Sequence, residues 1–73
     1  MDVNDLTLAE VAEVETISGQ PFADMAEAKA PKGKLMQAIV FILKRKQDPK
    51  FTFEMAGNLT MSEMNKVLEG DPT

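Results

Sequence analysis

Cysteine, histidine, tyrosine and tryptophan are all absent from this chain of 73 residues. Without cysteine, disulfides and thiolate metal sites are excluded. Without histidine, the chain lacks the commonest general base and the commonest ligand for soft metals. Catalysis would have to rely on Asp, Glu, Lys, Ser and Thr, so we expect a protein that is not an enzyme and needs no metal or cofactor.

Long apolar runs are also scarce, because the longest is the nine-residue segment LMQAIVFIL at residues 35–43. A helix that spans a bilayer needs about 20 such residues. The amino end carries Asp2 and Asp5 where a secretory signal would be basic. We therefore expect one soluble helical domain over residues 1–73, with no membrane partner.

Segment 35–43 is the most informative part of the chain, because Gln37 is its only polar residue. A surface helix would show a single apolar stripe, whereas this segment is apolar on every side. It must be covered by the rest of the chain, by another molecule, or by both. Small domains bury only about 60% of the surface of the unfolded chain. We therefore expect the monomer to leave part of this helix uncovered, for a partner protein or a second copy.

Charge is divided into blocks along the chain. Every charged residue before Lys29 is acidic, and the stretch from Lys29 to Lys50 is basic apart from Asp48. Acidic outer helices could pair with a basic central helix inside one fold, or acidic and basic faces could join copies head to tail. We favour internal pairing, since exposed charge pairs form readily. The basic cluster is short and lacks interleaved aromatics, so we expect no nucleic-acid partner.

Capping signals predict the first and last helices. Thr7 with Glu10, and Thr60 with Glu63, each form a capping box in front of apolar residues at helical spacing. Gly19 should end the first helix and Gly70 the last. A single helical turn is expected within residues 21–28.

The central apolar segment predicts a second long helix. It should begin near Pro31 or Lys32 and run to about Gln47, ending at Asp48-Pro49. A buried strand over residues 38–43 is the alternative, because β-branched and aromatic residues are frequent there. The length of the segment and its cationic end favour the helix. Thr52 should cap one further turn over residues 53–56.

These elements predict an all-α fold, a small bundle of three main helices with one or two single-turn pieces. The predicted core comprises Leu8, Val11, Val14, Ile17, Phe22, Leu35, Ile39, Ile42, Leu43, Phe53, Leu59, Met64 and Val67. Methionine adapts to irregular surfaces and is frequent where proteins bind variable partners. The candidate protein-binding surface is therefore Met36, Val40, Phe41, Met55, Met61 and Met64.

Five short segments together resemble a known family. They are LTLAEV at residues 6–11, ISGQPF at 17–22, APKGKL at 30–35, DPKFTFE at 48–54 and AGNLT at 56–60. In order and spacing, the chain resembles the small tail assembly chaperones of long-tailed bacteriophages. None of the segments is diagnostic on its own, and the resemblance covers most of the chain.

The resemblance implies a helical protein that acts in the host cytoplasm and is absent from the finished particle. Such chaperones bind the apolar tape measure protein, keep it soluble and help to recruit tail tube proteins. Many are made in a short form and a longer frameshifted form. The family has no catalytic residues to carry over to this chain.

Two other functions remain open at this stage. The chain could be a small structural virion protein of the head or connector, or a small phage regulator that binds a host protein. A homo-oligomer is compatible with all three functions.

Overall fold

The computed structural model describes residues 5–68, which form an all-helical bundle with no β-strand in that range. Its elements are α1 (Leu8–Ser18), a 3-10 helix (Phe22–Ala26), α2 (Gly33–Gln47), α3 (Phe53–Gly57) and α4 (Met61–Leu68). The predicted fold class, with three main helices and two short helical pieces, is confirmed. Helix α2 lies in the centre and packs against α1, α3 and α4. None of the helices described is long and apolar enough to cross a membrane.

The predicted capping boxes are both present. The Thr7 amide donates to Glu10 Oε1 over 2.8 Å, and the Glu10 amide donates to Thr7 Oγ1 over 3.1 Å. Thr60 and Glu63 exchange the same two bonds at 2.8 and 3.1 Å. Helix α1 ends at Gly19, as predicted, whereas the predicted stop at Gly70 lies outside the described residues.

The central segment is a helix rather than a strand. It begins at Gly33, slightly later than predicted, because Lys32 occupies the N-cap position and provides no side-chain cap. It ends at Asp48, where the cap amide donates to the Lys44 carbonyl. The lysines and arginine of the last turn complement the negative end of the helix dipole.

Gly19 and Gly33 should respond in opposite ways to alanine. Gly19 has φ +72°, whereas Gly33 has ordinary helical geometry, and a Cβ at either position would meet nothing within 4 Å. Left-handed backbone costs a residue with a side chain about 1–2 kcal/mol. In the middle of a helix, by contrast, alanine is favoured over glycine by about 0.5–1 kcal/mol, and at the first residue of α2 we expect a smaller gain of the same sign. Urea unfolding should therefore show Gly19→Ala destabilised and Gly33→Ala stabilised, and equal shifts would contradict the assignment of the turn.

The monomer covers most of segment 35–43, so the part of this helix that stays uncovered is smaller than expected. The side chains of Leu35, Ala38, Ile39, Ile42 and Leu43 are 0% exposed, and Val40 is 1% exposed. Within segment 35–43, only Met36, Gln37 and Phe41 remain half-buried. The cover comes from two clusters. One joins α2 to α1 and the 3-10 helix, with side chains of α3 and α4 at its edge, and the other joins α2 to Phe51, α3 and α4.

The prediction that Leu8 belongs to the core is also wrong, since its side chain is 89% exposed. The predicted stripe Leu8, Val11, Val14 and Ile17 advances in steps of three residues. Because a helix turns by about 100° per residue, such a stripe drifts by about 60° at each step. Val14 is fully buried, and Leu8 then lies roughly 120° around the helix from it, on the solvent side.

The remaining residues predicted for the core differ in how deeply they are buried. Buried as predicted are Val14, Leu35, Ile39, Ile42, Leu43 and Met64. Half-buried are Val11, Ile17, Phe22, Phe53, Leu59 and Val67. The prediction omitted Ala38, Val40, Phe51 and Ala56, all of which are buried.

Two ion pairs fasten α1 to the end of α2. The guanidinium of Arg45 donates to both carboxylate oxygens of Glu13, over 2.9 and 2.8 Å. Lys46 Nζ lies 3.1 Å from Glu10 Oε1 and also donates to the Asp5 carbonyl over 2.7 Å. The predicted internal pairing of acidic and basic blocks is therefore present between these two helices.

These contacts predict a loss of stability in acid. The hydrogen bond from Arg45 lowers the pKa of Glu13 below its ordinary value of 4.5. The bond from the Thr7 amide lowers the pKa of Glu10 in the same way. A carboxylate whose folded pKa is depressed contributes stability above its unfolded pKa and loses that contribution as the pH falls through the folded pKa. The melting temperature should therefore decline as the pH is lowered below about 4.5.

Glu13→Gln tests this prediction, because it removes one of the titrating groups. Its melting temperature should be lower than that of the parent protein at neutral pH and should depend less on pH in acid. Glu54→Gln is the control, since Glu54 is exposed and makes no hydrogen bond or ion pair with any described residue. Parallel acid profiles for Glu13→Gln and the parent protein would contradict the assignment.

Candidate protein-binding groove

An open groove of about 150 Å³ lies where α2, α3 and α4 meet, and we call it the methionine groove. Helix α2 provides one wall, and α3, α4 and the link between them provide the other. It is lined by Gly33, Met36, Gln37, Val40, Ala56, Gly57, Leu59, Thr60, Met61 and Met64. None of these side chains is ionisable, so the groove offers apolar contact and a few polar atoms rather than acid–base chemistry.

Gln37 fixes α3 against α2 at one side of the groove. Its Nε2 donates to the Phe53 carbonyl over 2.9 Å, at the start of α3. A Cβ on Gly57 would lie 2.6 Å from that same nitrogen. The absence of a side chain at Gly57 therefore leaves the space that Gln37 occupies.

The capping box of α4 holds the opposite wall. The two hydrogen bonds that Thr60 and Glu63 exchange fix the backbone of the first turn of α4, and α4 packs against α2. The bond from the Thr60 amide also lowers the pKa of Glu63 below its ordinary value. This turn places Met64 in the groove floor at 8% exposure and Met61 at its mouth at 61% exposure.

Four of the six residues predicted as a binding surface come together in this groove. Met36 and Val40 of α2 and Met61 and Met64 of α4 all line it, although the two pairs lie far apart in the sequence. Val40 is only 1% exposed, so it forms part of the floor and offers a partner almost no surface. Met55 is 45% exposed but lies outside the groove.

Phe41 also lies outside the groove, and its ring is engaged within the protein. The guanidinium of Arg45 lies 4.9 Å from the ring centroid, in cation–π geometry. The ring packs edge to face against Phe53, with 6.0 Å between centroids. Phe41 therefore connects the Arg45–Glu13 ion pair to α3 rather than presenting a free aromatic surface.

Sequence reasoning missed the residues that shape the groove. Gln37 was visible as the only polar residue in an apolar run, and such a residue usually has a specific hydrogen-bond partner. Gly57 carries no such signal, since the sequence cannot show which side chain approaches it. Ala56 and Thr60 gave no signal beyond their helix positions.

The groove resembles sites that bind an apolar side chain or one face of a helix. Methionine side chains are flexible and polarizable, so a surface rich in them can repack around different partners. Comparisons with protein-family models, with curated proteins and with solved structures gave no match to this chain.

Proposed function

We propose that this protein is a tail assembly chaperone of a long-tailed bacteriophage, which binds the tape measure protein and helps to recruit tail tube proteins. It works by reversible binding, without chemistry, in the host cytoplasm. The proposal rests on the family resemblance of the sequence and on one structural observation, the methionine groove. We refer to the bound tape measure segment as the client.

The groove suits an apolar helical client. Its floor is buried and apolar, with Val40 and Met64 at 1% and 8% exposure, whereas Met61 at its mouth is 61% exposed. A helix-in-groove contact inserts apolar anchors of an amphipathic helix into such a site. The net charge of −4 keeps a protein with this exposed apolar surface soluble.

Co-expression with the tape measure protein of the same genome tests the proposal. The chain should increase the fraction of tape measure protein that stays soluble after centrifugation, and the two proteins should purify together. Met61→Asp should abolish both effects, because it places a charge at the mouth of the apolar groove.

Met55→Asp is the matched control for this experiment. Met55 is an exposed methionine near the start of a neighbouring helix but does not line the groove. This variant should support solubility as well as the parent chain does. No gain in solubility with the parent chain would contradict the chaperone function, and equal loss in both variants would contradict the groove as its site.

Mass spectrometry of purified particles distinguishes a chaperone from a structural virion protein. A chaperone should be missing from the finished particle, because its client is enclosed in the assembled tail. Detection of the chain at a fixed copy number per particle would instead favour a structural role and count against the proposal.

A further inference from the structure

We propose that, in the protein on its own, Leu8 of one copy docks in the methionine groove of a second copy. Leu8 is 89% exposed, more than either Met61 at 61% or Met55 at 45%. Its neighbours on the outer face of α1 are small and exposed, so a second molecule can approach the helix closely: Ala9, Ala12 and Thr16. The proposal concerns the free protein and does not depend on the proposed function.

Leu8 and the groove lie at opposite ends of α2, so one molecule cannot join them internally. The first turn of α1 lies beside the carboxyl end of α2, where Glu10 Oε1 is 3.1 Å from Lys46 Nζ. The groove is built on the first half of the same helix, from Gly33 to Val40. Met36 and Lys46 are separated by roughly 15 Å along the axis, at 1.5 Å per residue. A contact between two different patches is heterologous, and it produces a ring or an open chain of copies.

The charges left over from internal pairing favour the same arrangement. Helix α1 has only acidic charges and α2 only basic ones, and the two ion pairs use Glu10, Glu13, Arg45 and Lys46. Glu15 lies on nearly the same face of α1 as Leu8, two turns along the helix, and has no ion pair within residues 5–68, although its carboxylate accepts the Phe22 amide over 2.7 Å.

On the groove side, positive charge remains. Lys34 follows Gly33 at one end of the groove, is exposed, and has no ion pair within residues 5–68. Lys44 lies one turn beyond Val40 on the same side of α2, has no ion pair within residues 5–68, and places Nζ 5.7 Å from the centroid of the Phe51 ring. The groove border is therefore positive on its α2 side, whereas Glu63 is exposed on its α4 side. Glu15 of the docked copy would be attracted to the lysines of the α2 side, and added salt would weaken that attraction.

The size of the groove also suits a leucine side chain. An apolar cavity of about 150 Å³ in a protein can hold a benzene molecule. The groove has about that volume, and the four-carbon side chain of leucine is smaller than benzene. A contact that depends mainly on one side chain is small, so it should be weak and should depend on protein concentration.

Sedimentation velocity of the purified chain tests the contact over about 10 µM to 1 mM, the range in which weak interfaces dissociate. The parent protein should increase in mean mass with concentration and less so at high salt. Leu8→Ala should weaken association about 10- to 100-fold, from the apolar area lost. Leu8→Asp and Met61→Asp should each remain monomeric.

A mixture of these last two variants gives the sharpest result. Leu8→Asp keeps an intact groove, and Met61→Asp keeps an intact Leu8, so equal amounts should form a dimer with one copy of each and nothing larger. Each aspartate stands at the first position of a helix, where an acid suits the dipole, so both variants should fold. Circular dichroism checks that they do.

Met55→Asp should associate as the parent protein does, because Met55 lies outside the groove. The proposal is overturned if the parent protein stays monomeric throughout, or if the mixture of folded variants stays monomeric. It is also overturned if Leu8→Asp or Met61→Asp still self-associates, or if Met55→Asp abolishes association. None of these outcomes depends on a tape measure protein, so this proposal and the chaperone function can fail separately.

Discussion

Replacing Phe51 with alanine should lower the free energy of unfolding by about 3–5 kcal/mol, the usual cost of this change in a packed core. Phe51 is 8% exposed and packs with Val40, Ala56 and Met64 in the cluster that holds α3 and α4 on α2. Domains of this size rarely have more than about 3–5 kcal/mol of stability in total. Much of the variant should therefore be unfolded, as measured by circular dichroism and urea titration.

Phe53→Ala provides the matched control for this effect. Phe53 is only half-buried, and its ring makes one edge-to-face contact with Phe41. Its loss should cost about 1–2 kcal/mol, from partial burial and the aromatic pair. Phe51→Leu should show an intermediate loss that can be quantified even if Phe51→Ala is fully unfolded. If Phe53→Ala were the more damaging variant, the burial assigned to these two rings would be reversed.

Ile39→Ala should be the next most damaging substitution, with a loss of about 2–5 kcal/mol. Ile39 is 0% exposed and belongs to the cluster formed with Val14, Leu35, Ile42 and Leu43. Removing three carbons there leaves a void that the surrounding side chains can fill only in part. Urea unfolding should show a much lower midpoint with an unchanged slope.

Leu8→Ala is the matched control for Ile39→Ala, because it removes the same number of carbons from a side chain that is 89% exposed. Its stability should stay within about 0.5 kcal/mol of the parent protein. The measurement should be made at low protein concentration, where self-association does not contribute to stability. Similar losses in the two variants would contradict the burial of Leu8 and Ile39.

Local signals predicted the helix boundaries well. Thr7 with Glu10 and Thr60 with Glu63 start α1 and α4 because capping depends on residues only three positions apart. Gly19 ends α1 for an equally local reason, since its backbone is left-handed. Such features need no knowledge of the tertiary fold.

The sequence predicted less about which side chains are buried. Leu8 was placed in the core because apolar spacing alone does not show which side of a drifting stripe faces inward. Phe51 was omitted because alternation in an extended link cannot reveal which of two nearby rings points to the core. Whether Leu8 and Phe51 are buried depends on how the segments that carry them cross α2.

The candidate surface was predicted in part. Composition selected Met36, Met61 and Met64, and the fold brings them to one groove. Composition could not separate these residues from Met55, which is close to Met61 in the sequence but lies outside the groove. The interlocking of Gln37 with Gly57 depends on a contact between separate helices, so no local pattern could reveal it.

The central position of α2 limits how this protein can change through mutation. Helices α1, α3 and α4 all pack against α2. A substitution in α2 that improves its packing against one of these helices can therefore disturb its packing against another. Away from Leu8 and Met61, the solvent-facing sides of α1 and α4 have no such conflict. Sequence changes should accumulate on those outer sides, whereas α2 should change only through compensating pairs of substitutions.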